Sequence, residues 1–261
     1  MTPFGRFLRA ARYRQIIRNL AGPKLLESFA DSYPKAIFVE IGSNDGEQHD
    51  HLRPFIVSRP WRGIMVEPVP YVFDRLRKNY EAYGRIALEN VAVGDADGQM
   101  PFYHLIEPRP DDLASLPDWY DGVGSFSREA VAGHVTHIPD IEERIVRRDV
   151  QVVTFDTLCR RNNVSRVDLL LIDTEGHDWE ILKSIDFARW RPRLVIYEHY
   201  HLSPTARRAA REHLRLVGYE TMEEGFDTFC LDASVDDELT EAWRSLEPAV
   251  DGVAAYEEAA A

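Results

Sequence analysis

The residue types best suited to catalysis or ligand binding occur in two short acidic turns, each directly after an apolar run. The first turn, Glu40-Ile41-Gly42-Ser43-Asn44-Asp45-Gly46, follows the apolar residues 36–39. The second turn, Asp173-Thr174-Glu175-Gly176-His177-Asp178, follows residues 169–172. A short apolar run that ends in acids and glycine is typical of a buried strand entering a turn. Open α/β sheets bind ligands at such strand ends, so both turns are predicted to border a ligand site.

The first turn favours a cationic or zwitterionic ligand. Its glycines, Gly42 and Gly46, permit a tight turn and a close approach of the backbone to a ligand. Their spacing is not the Gly-x-Gly-x-x-Gly of dinucleotide sites, which argues against a nicotinamide-dependent dehydrogenase. Glu40 and Asp45 would repel a pyrophosphate and attract a positive charge. S-adenosylmethionine carries a sulfonium and an amino group, so it fits this turn, and a purely structural turn is the alternative.

The next two strand ends carry residues that suit a nucleoside. Glu67 ends the second predicted strand, residues 63–67, where an acid in nucleoside-binding α/β folds accepts hydrogen bonds from the ribose hydroxyls. Its alternative role is to place negative charge at the start of the helix near Tyr71. The third predicted strand, residues 86–93, supplies the candidates for adenine contact, which are Asn90, Val91 and Ala92.

Two later strand ends are expected to border a reaction crevice, because Asp173 ends one predicted strand and Glu198 ends the next. Asp173, Glu198 and His199 form a candidate Mg²⁺ site, although Mg²⁺ prefers oxygen to imidazole. His177 and His201 are candidate general bases, since histidine has an unperturbed pKa of about 6.5, and Asp173 is grouped with them as catalytic. The alternative is that the acids cap a helix and the histidines only form structural hydrogen bonds.

Apolar runs and helix-periodic segments alternate along residues 36–231, which predicts an α/β domain of parallel βαβ units. Residues 219–222 and 226–231 are predicted to form a closing hairpin. An insertion over residues 107–149 breaks the alternation, and it is expected to form a substrate-binding lid, with a purely structural loop as the alternative. The flanking segments are an arginine-rich helical stretch, residues 1–35, and an acidic tail, residues 232–261.

Composition excludes several classes of protein. The 261 residues are 44% hydrophobic and 29% charged, as in ordinary globular domains. The net charge of −13 argues against a protein that binds nucleic acid through phosphate contacts. No apolar run is long enough for a membrane-spanning helix. Two cysteines, Cys159 and Cys230, are too few for a disulfide framework, which favours a cytoplasmic location. The excess of arginine over lysine is typical of a GC-rich, bacterial genome.

The combination and order of several segments resemble the FkbM family of S-adenosylmethionine-dependent methyltransferases. These segments are residues 39–46, Val66-Glu67-Pro68, residues 90–98, Gly124-Ser125 and residues 168–176. The resemblance covers residues 36–231 and implies a Rossmann-like class I methyltransferase fold, with a seven-stranded, mostly parallel sheet and an antiparallel closing hairpin. The chain departs from the family at Leu171, where lysine is common, and at His177-Asp178, where a small residue and glutamate are usual.

The resemblance implies O-methylation of a sugar or natural-product hydroxyl, with S-adenosylmethionine as the methyl donor. A sugar hydroxyl needs a general base, a metal ion such as Mg²⁺, or both. The acidic and aromatic insertion favours a small saccharide as substrate, with a methylated mannoside as one example. One alternative is a lipid or polyketide hydroxyl, which an aliphatic insertion would favour. The other is a non-catalytic cofactor-binding module, which a turnover assay would distinguish from an enzyme.

Overall fold

The computed structural model describes residues 20–113 and 115–248, in which the strands form two sheets. The strands of the larger sheet are β1 (Ile37–Ile41), β2 (Arg62–Val66), β3 (Ile86–Glu89), β8 (Leu169–Ile172), β9 (Leu194–Glu198), β10 (Tyr219–Glu224) and β11 (Asp227–Asp232). The strands of the smaller sheet are β4 (Ala92–Val93), β5 (Gly98–Leu105), β6 (Gly124–Ser125) and β7 (Ile145–Val153).

Helices connect these strands. The α-helices are α1 (Ala21–Ser32), α2 (Arg53–Ser58), α3 (Pro70–Asn79), α4 (Arg128–Ala132), α5 (Ile141–Arg144), α6 (Phe155–Arg161), α7 (Asp178–Ser184), α8 (Pro204–Leu216) and α9 (Glu238–Ser245). Within the described residues no helix combines the length and the apolar character needed to span a bilayer.

The larger sheet has the strand order β10-β11-β9-β8-β1-β2-β3. The five strands from β9 to β3 are parallel, and the β10–β11 hairpin joins the edge of β9 in the antiparallel direction. The prediction of an α/β fold with a seven-stranded, mostly parallel sheet and an antiparallel closing hairpin is confirmed. In such a sheet the carboxyl ends of β1, β2, β8 and β9 all meet at one edge.

The central strands are apolar because both faces of the sheet are covered by helices. Residues alternate between the faces, so that Leu170 packs with α6, α7 and α8 while Leu169 packs with α1, α2 and α3. All four residues of β8 and all five of β9 are buried. This two-sided burial fixes the positions of the strand ends that follow.

The chain turns out of the larger sheet earlier than predicted. The prediction of a single third strand over residues 86–93 is wrong, because β3 ends at Glu89 and β4 pairs with β7 in the smaller sheet. The side-chain amide of Asn90 donates hydrogen bonds to the carbonyls of Glu67 (2.8 Å) and Pro68 (3.1 Å), which stabilises the turn between β3 and β4. Asn90 thus separates two strands that the sequence pattern predicts as one.

The predicted insertion over residues 107–149 is structured rather than loop-like. Its last five residues belong to β7, which runs antiparallel to the unpredicted strand β5. The intervening residues form short helical turns that bury an apolar cluster of their own. That cluster contains Leu105, Tyr120, Val123, Val131, Ile138 and Ile141.

The flanking segments pack on the larger sheet where the structure describes them. The Glu224 carboxylate accepts hydrogen bonds from the amides of Ala21 (3.0 Å) and Gly22 (2.7 Å), which supplies acceptors to the start of α1. Residues 1–19 of the predicted N-terminal helical stretch lie outside the described residues. Helix α9 covers part of the predicted acidic tail. The domain division at residues 36 and 231 stays a prediction.

Arg193 connects β9 to α9, and its loss should destabilise the fold. Its guanidinium lies 2.6 Å from both Asp237 Oδ1 and Thr240 Oγ1, and its side chain is only 4% exposed. Arg193→Ala would leave Asp237 without its charged partner, so we expect the free energy of unfolding to fall by about 1–3 kcal/mol in urea denaturation. The matched control Arg244→Ala removes an exposed pair with Asp236 and should change little. Equal, small effects of both variants would contradict this role.

Candidate functional site

A cavity of about 730 Å³ opens at the carboxyl-terminal edge of the larger sheet. Its floor is formed by the residues that end or follow β1, β2, β8 and β9, and its wall by β4, β5, β6 and the insertion. The polar lining includes Glu40, Ser43, Asn44, Asp50, His51, Glu67, Asp118, Asp173, Glu175, His177 and Glu198. The two acidic turns found in the sequence therefore border one cavity.

The first turn is fixed by the strands on both sides of it. Gly42 adopts a left-handed φ of 85°, and a Cβ there would lie 1.7 Å from the Asp173 carbonyl oxygen. The amides of Gly42 and Ser43 both donate to the carbonyl of Val66, at 3.0 and 2.9 Å. Only glycine permits this approach, so the turn lies flat between the ends of β2 and β8.

Glu67 is held at the cavity by backbone donors. Its Oε2 accepts from the amide of Asn44 (3.1 Å) and its Oε1 from the amide of Val69 (2.7 Å). Burial raises the pKa of Glu67 to about 8, and the two amide hydrogen bonds oppose that shift. Each oxygen keeps a second lone pair, so the carboxylate can still accept hydrogen bonds from two ligand hydroxyls.

Glu40 is a buried acid that lines the cavity with no cationic partner among the described residues. Burial raises the pKa of Glu40 well above its usual range, and Asp50 and Asp173 raise it further. Its Oε2 is closed off from solvent and makes no hydrogen bond. A buried acceptor in this state favours a ligand that brings a proton donor or a positive charge.

The other residues predicted to bind a cofactor divide into two groups. Ser43, Asn44, Val91 and Ala92 line the cavity. Asp45, Gly46 and Asn90 are not among its lining residues, and their hydrogen bonds stabilise the neighbouring turns. The Asp45 carboxylate accepts hydrogen bonds from the amides of Glu47 and Gln48, the Gly46 carbonyl accepts one from the Arg53 side chain, and the Asn90 amide donates to the carbonyl of Glu67 at the end of β2.

Asp173 and His177 face the cavity from the second turn. Desolvation by the surrounding protein raises the pKa of Asp173 to about 6, and Asp227 adds to that shift. Burial lowers the pKa of His177, so its imidazole is neutral at pH 7. The His177 ring packs 4.7 Å from the ring of Phe126, which brings the insertion wall to the second turn.

His201 and His199 are placed differently from the predicted arrangement. The Nδ1 atom of His201 lies 3.0 Å from carboxylate oxygens of both Glu175 and Glu198, at the side of the cavity. The Nδ1 atom of His199 lies 2.9 Å from the Thr228 hydroxyl, and His199 is not among the lining residues. The structure therefore does not bring His199 together with Asp173 and Glu198 as a magnesium site.

Several cavity residues were not singled out in the sequence. Asp50 and His51 come from the loop after β1 and Asp118 from the insertion, whereas Trp119 and Phe126, expected from the sequence to belong to a saccharide-binding lid, do line the cavity. The strained, left-handed backbone of His49 (φ 58°) and of Glu175 (φ 54°) was not predicted either. No spacing pattern marks these residues, because only the packing of the insertion against the larger sheet brings them together.

Comparisons with known proteins find similarity to methyltransferases. The chain is 25% identical over 171 residues to the 2-O-methyltransferase NoeI of Sinorhizobium fredii, and the match covers 64% of each protein. A solved structure of methyltransferase FkbM from Methylobacillus flagellatus is similar with a TM-score of 0.48 and 14% identity, over 76% of this chain and 44% of that one. Aeropyrum pernix fibrillarin, solved with natively bound S-adenosylmethionine, gives a TM-score of 0.38 and 12% identity, over 76% of this chain and 68% of that one.

The family assignment rests on a separate comparison. The sequence profile described as "Methyltransferase FkbM domain" matches residues 40–224. That range runs from the first acidic turn to the end of β10 and includes the whole of the smaller sheet and most of the larger one. Because the match spans most of the chain, this protein belongs to the FkbM methyltransferase domain family.

Proposed function

We propose that the protein is an S-adenosylmethionine-dependent O-methyltransferase that acts on a hydroxyl of a small saccharide. The observation that carries the proposal is the set of acids at adjacent strand ends, Glu40, Glu67 and Asp173, which border one cavity. In this proposal residues 36–231 are the methyltransferase domain and the insertion is its substrate-binding wall.

The residues of the first turn fit the methyl donor. S-adenosylmethionine, when bound, supplies a methyl group on a positively charged sulfur. Glu40, with its unpaired Oε2, would accept the amino group of the methionine portion. Glu67 would accept the two ribose hydroxyls, and the apolar segment 91–93 would contact the adenine. Gly42 lines the same cavity as these two acids.

Asp173 and His177 are suited to activate the acceptor. A sugar hydroxyl is a weak nucleophile at neutral pH and must lose its proton as it attacks. Neutral His177 offers a ring nitrogen that can take this proton, and Asp173 can orient the sugar by accepting a hydrogen bond from a neighbouring hydroxyl. Because His199 lies outside the cavity, no step is assigned to a magnesium ion at the triad predicted from the sequence. His201, at the side of the cavity, is assigned a different role below.

The saccharide would bind against the insertion. Trp119 and Phe126 line the cavity from this segment and offer aromatic faces, and Asp118 offers a carboxylate. NoeI, the relative named above, is a 2-O-methyltransferase, which supports oxygen as the methylated atom. The wall is polar as well as aromatic, which favours a saccharide over a lipid or polyketide hydroxyl.

Substitutions at Asp173 and Glu67 should separate chemistry from cofactor binding. Asp173→Asn should lower kcat by about 10²–10⁴-fold with little change in the Kd for S-adenosylmethionine. Glu67→Gln should weaken that Kd by about 10–100-fold, because charge-assisted hydrogen bonds to the ribose are lost. Calorimetry and a radiolabelled methyl-transfer assay measure the two effects, with Glu81→Gln on the surface as the control. A large loss of cofactor binding in Asp173→Asn would remove Asp173 from the reaction centre.

Cofactor affinity should rise with pH because of Glu67. Its pKa of about 8 means that the free carboxyl is protonated at pH 7, whereas ribose hydroxyl donors bind the ionised form. Binding must therefore release a proton below pH 8, and the Kd should fall up to tenfold per unit between about pH 6.5 and 8. Calorimetry in buffers of different ionisation enthalpy measures the released proton. Glu67→Gln controls for titration of the cofactor's own amino group, and an identical pH profile in that variant would refute the assignment.

A further inference from the structure

We propose that His134, Glu175 and His201 bind one divalent transition-metal ion of the zinc class. One ligand atom from each of the three side chains lies within 4.8 Å of the other two. His134 belongs to the short 3₁₀ turn Gly133–Thr136 of the insertion, whereas Glu175 and His201 follow β8 and β9. The three residues thus come from separate parts of the chain and meet beside the cavity.

Glu175 provides an independent sign of a ligand at this point. Its backbone has a left-handed φ of 54°, which is costly for a residue with a Cβ and is typical of functional positions. Its Oε2 is closed off from solvent and makes no hydrogen bond, although it lies 3.0 Å from Nδ1 of His201. A bound cation would satisfy this oxygen and account for the strained backbone that aims it at the histidines.

The carboxyl groups beside His201 are also open to a cation. Glu175 and Glu198 both lie against His201, and within the described part of the chain neither forms an ion pair with lysine or arginine. Glu198 is buried, and its Oε2 lies at hydrogen-bond distance, 3.0 Å, from the Nδ1 atom of His201. A carboxylate in this position commonly orients a metal-binding histidine, because the ring can then present its other nitrogen to the ion.

The ligand types indicate which ions fit. Two imidazoles and one carboxylate suit Zn²⁺, Co²⁺ or Fe²⁺, whereas Mg²⁺ prefers an all-oxygen set. Ligand atoms at about 2.1 Å from zinc stand about 3.4 Å apart, so the ion would draw the three side chains slightly closer. The side chain of His201 is 30% exposed, which leaves a path for the ion and a position for water.

Such an ion would link the insertion to the strand ends. The ring of Trp119, which lines the cavity, packs 5.3 Å from His134. Holding His134 against Glu175 and His201 would therefore fix the aromatic wall over the cavity. This site is separate from the residues assigned to cofactor binding and proton transfer, and it can be tested without either substrate.

Metal binding to the untagged, full-length chain tests the proposal. We expect chelator-treated protein to bind one equivalent of Zn²⁺ in calorimetry, and one equivalent of Co²⁺ with the visible absorption bands of a four- or five-coordinate site. His134→Ala and His201→Ala should each weaken binding at least tenfold, and Glu175→Gln should do so without altering the backbone. Circular dichroism checks that each variant is folded.

His137→Ala is the matched control, because His137 is an exposed neighbour that also packs against Trp119 but is outside the three-residue cluster. It should bind zinc as the wild type does. Binding of less than one equivalent by the wild type, or an equal loss in His137→Ala and His134→Ala, would overturn the proposal. Neither outcome bears on the proposed methyl transfer, which is assayed separately with the cofactor and an acceptor.

Discussion

The burial of carboxylates at one edge of the larger sheet is the constraint on which the site depends. Glu40, Glu67 and Glu198 are only 3%, 7% and 8% exposed, and desolvation raises the pKa of all three. Removing a carboxylate from water is unfavourable unless hydrogen bonds or opposite charges replace the water. Glu67 has two backbone amides as partners, whereas Glu40 keeps an unpaired oxygen. The site is thereby prepared for a ligand that brings hydroxyl donors and positive charge.

The two sheets have different roles in positioning these acids. The parallel strands of the larger sheet are buried on both faces, so their carboxyl ends cannot shift independently. The smaller sheet and the insertion then close one side of the cavity. Asp121 of the insertion accepts hydrogen bonds from Tyr71 and Arg75 of α3, which ties this wall to the larger sheet. The acceptor would therefore meet the methyl donor between a rigid floor and a wall attached by polar contacts.

Local patterns were enough to predict most strands of the larger sheet and both acidic turns, whereas the number of strands in that sheet was implied by the family resemblance. Apolar runs that end in glycine and acids are directly visible, and they mark β1 and β8 without any knowledge of tertiary contacts. Strand β5 was missed because its first four residues, Gly98 to Pro101, are exposed and carry no apolar alternation. The boundary between β3 and β4 was missed because a side-chain hydrogen bond from Asn90 sets it.

The candidate site was less predictable for a related reason. Adjacent residues of an extended chain point to opposite sides, so Glu198 faces the cavity while His199 turns to Thr228. Alternation alone could have separated that pair. His134 could not have been paired with Glu175 and His201 from the sequence, because a turn within the insertion brings it to the strand ends.

The central claim is that S-adenosylmethionine binds across the ends of β1, β2 and β4. Hydrogen exchange of backbone amides, followed by mass spectrometry with and without the cofactor, tests it most directly. We expect slower exchange in peptides that contain residues 42–44, 67–69 and 91–93, where the cavity floor meets the proposed ligand. Unchanged exchange in all three segments at saturating cofactor, or protection confined to other parts of the chain, would contradict the account.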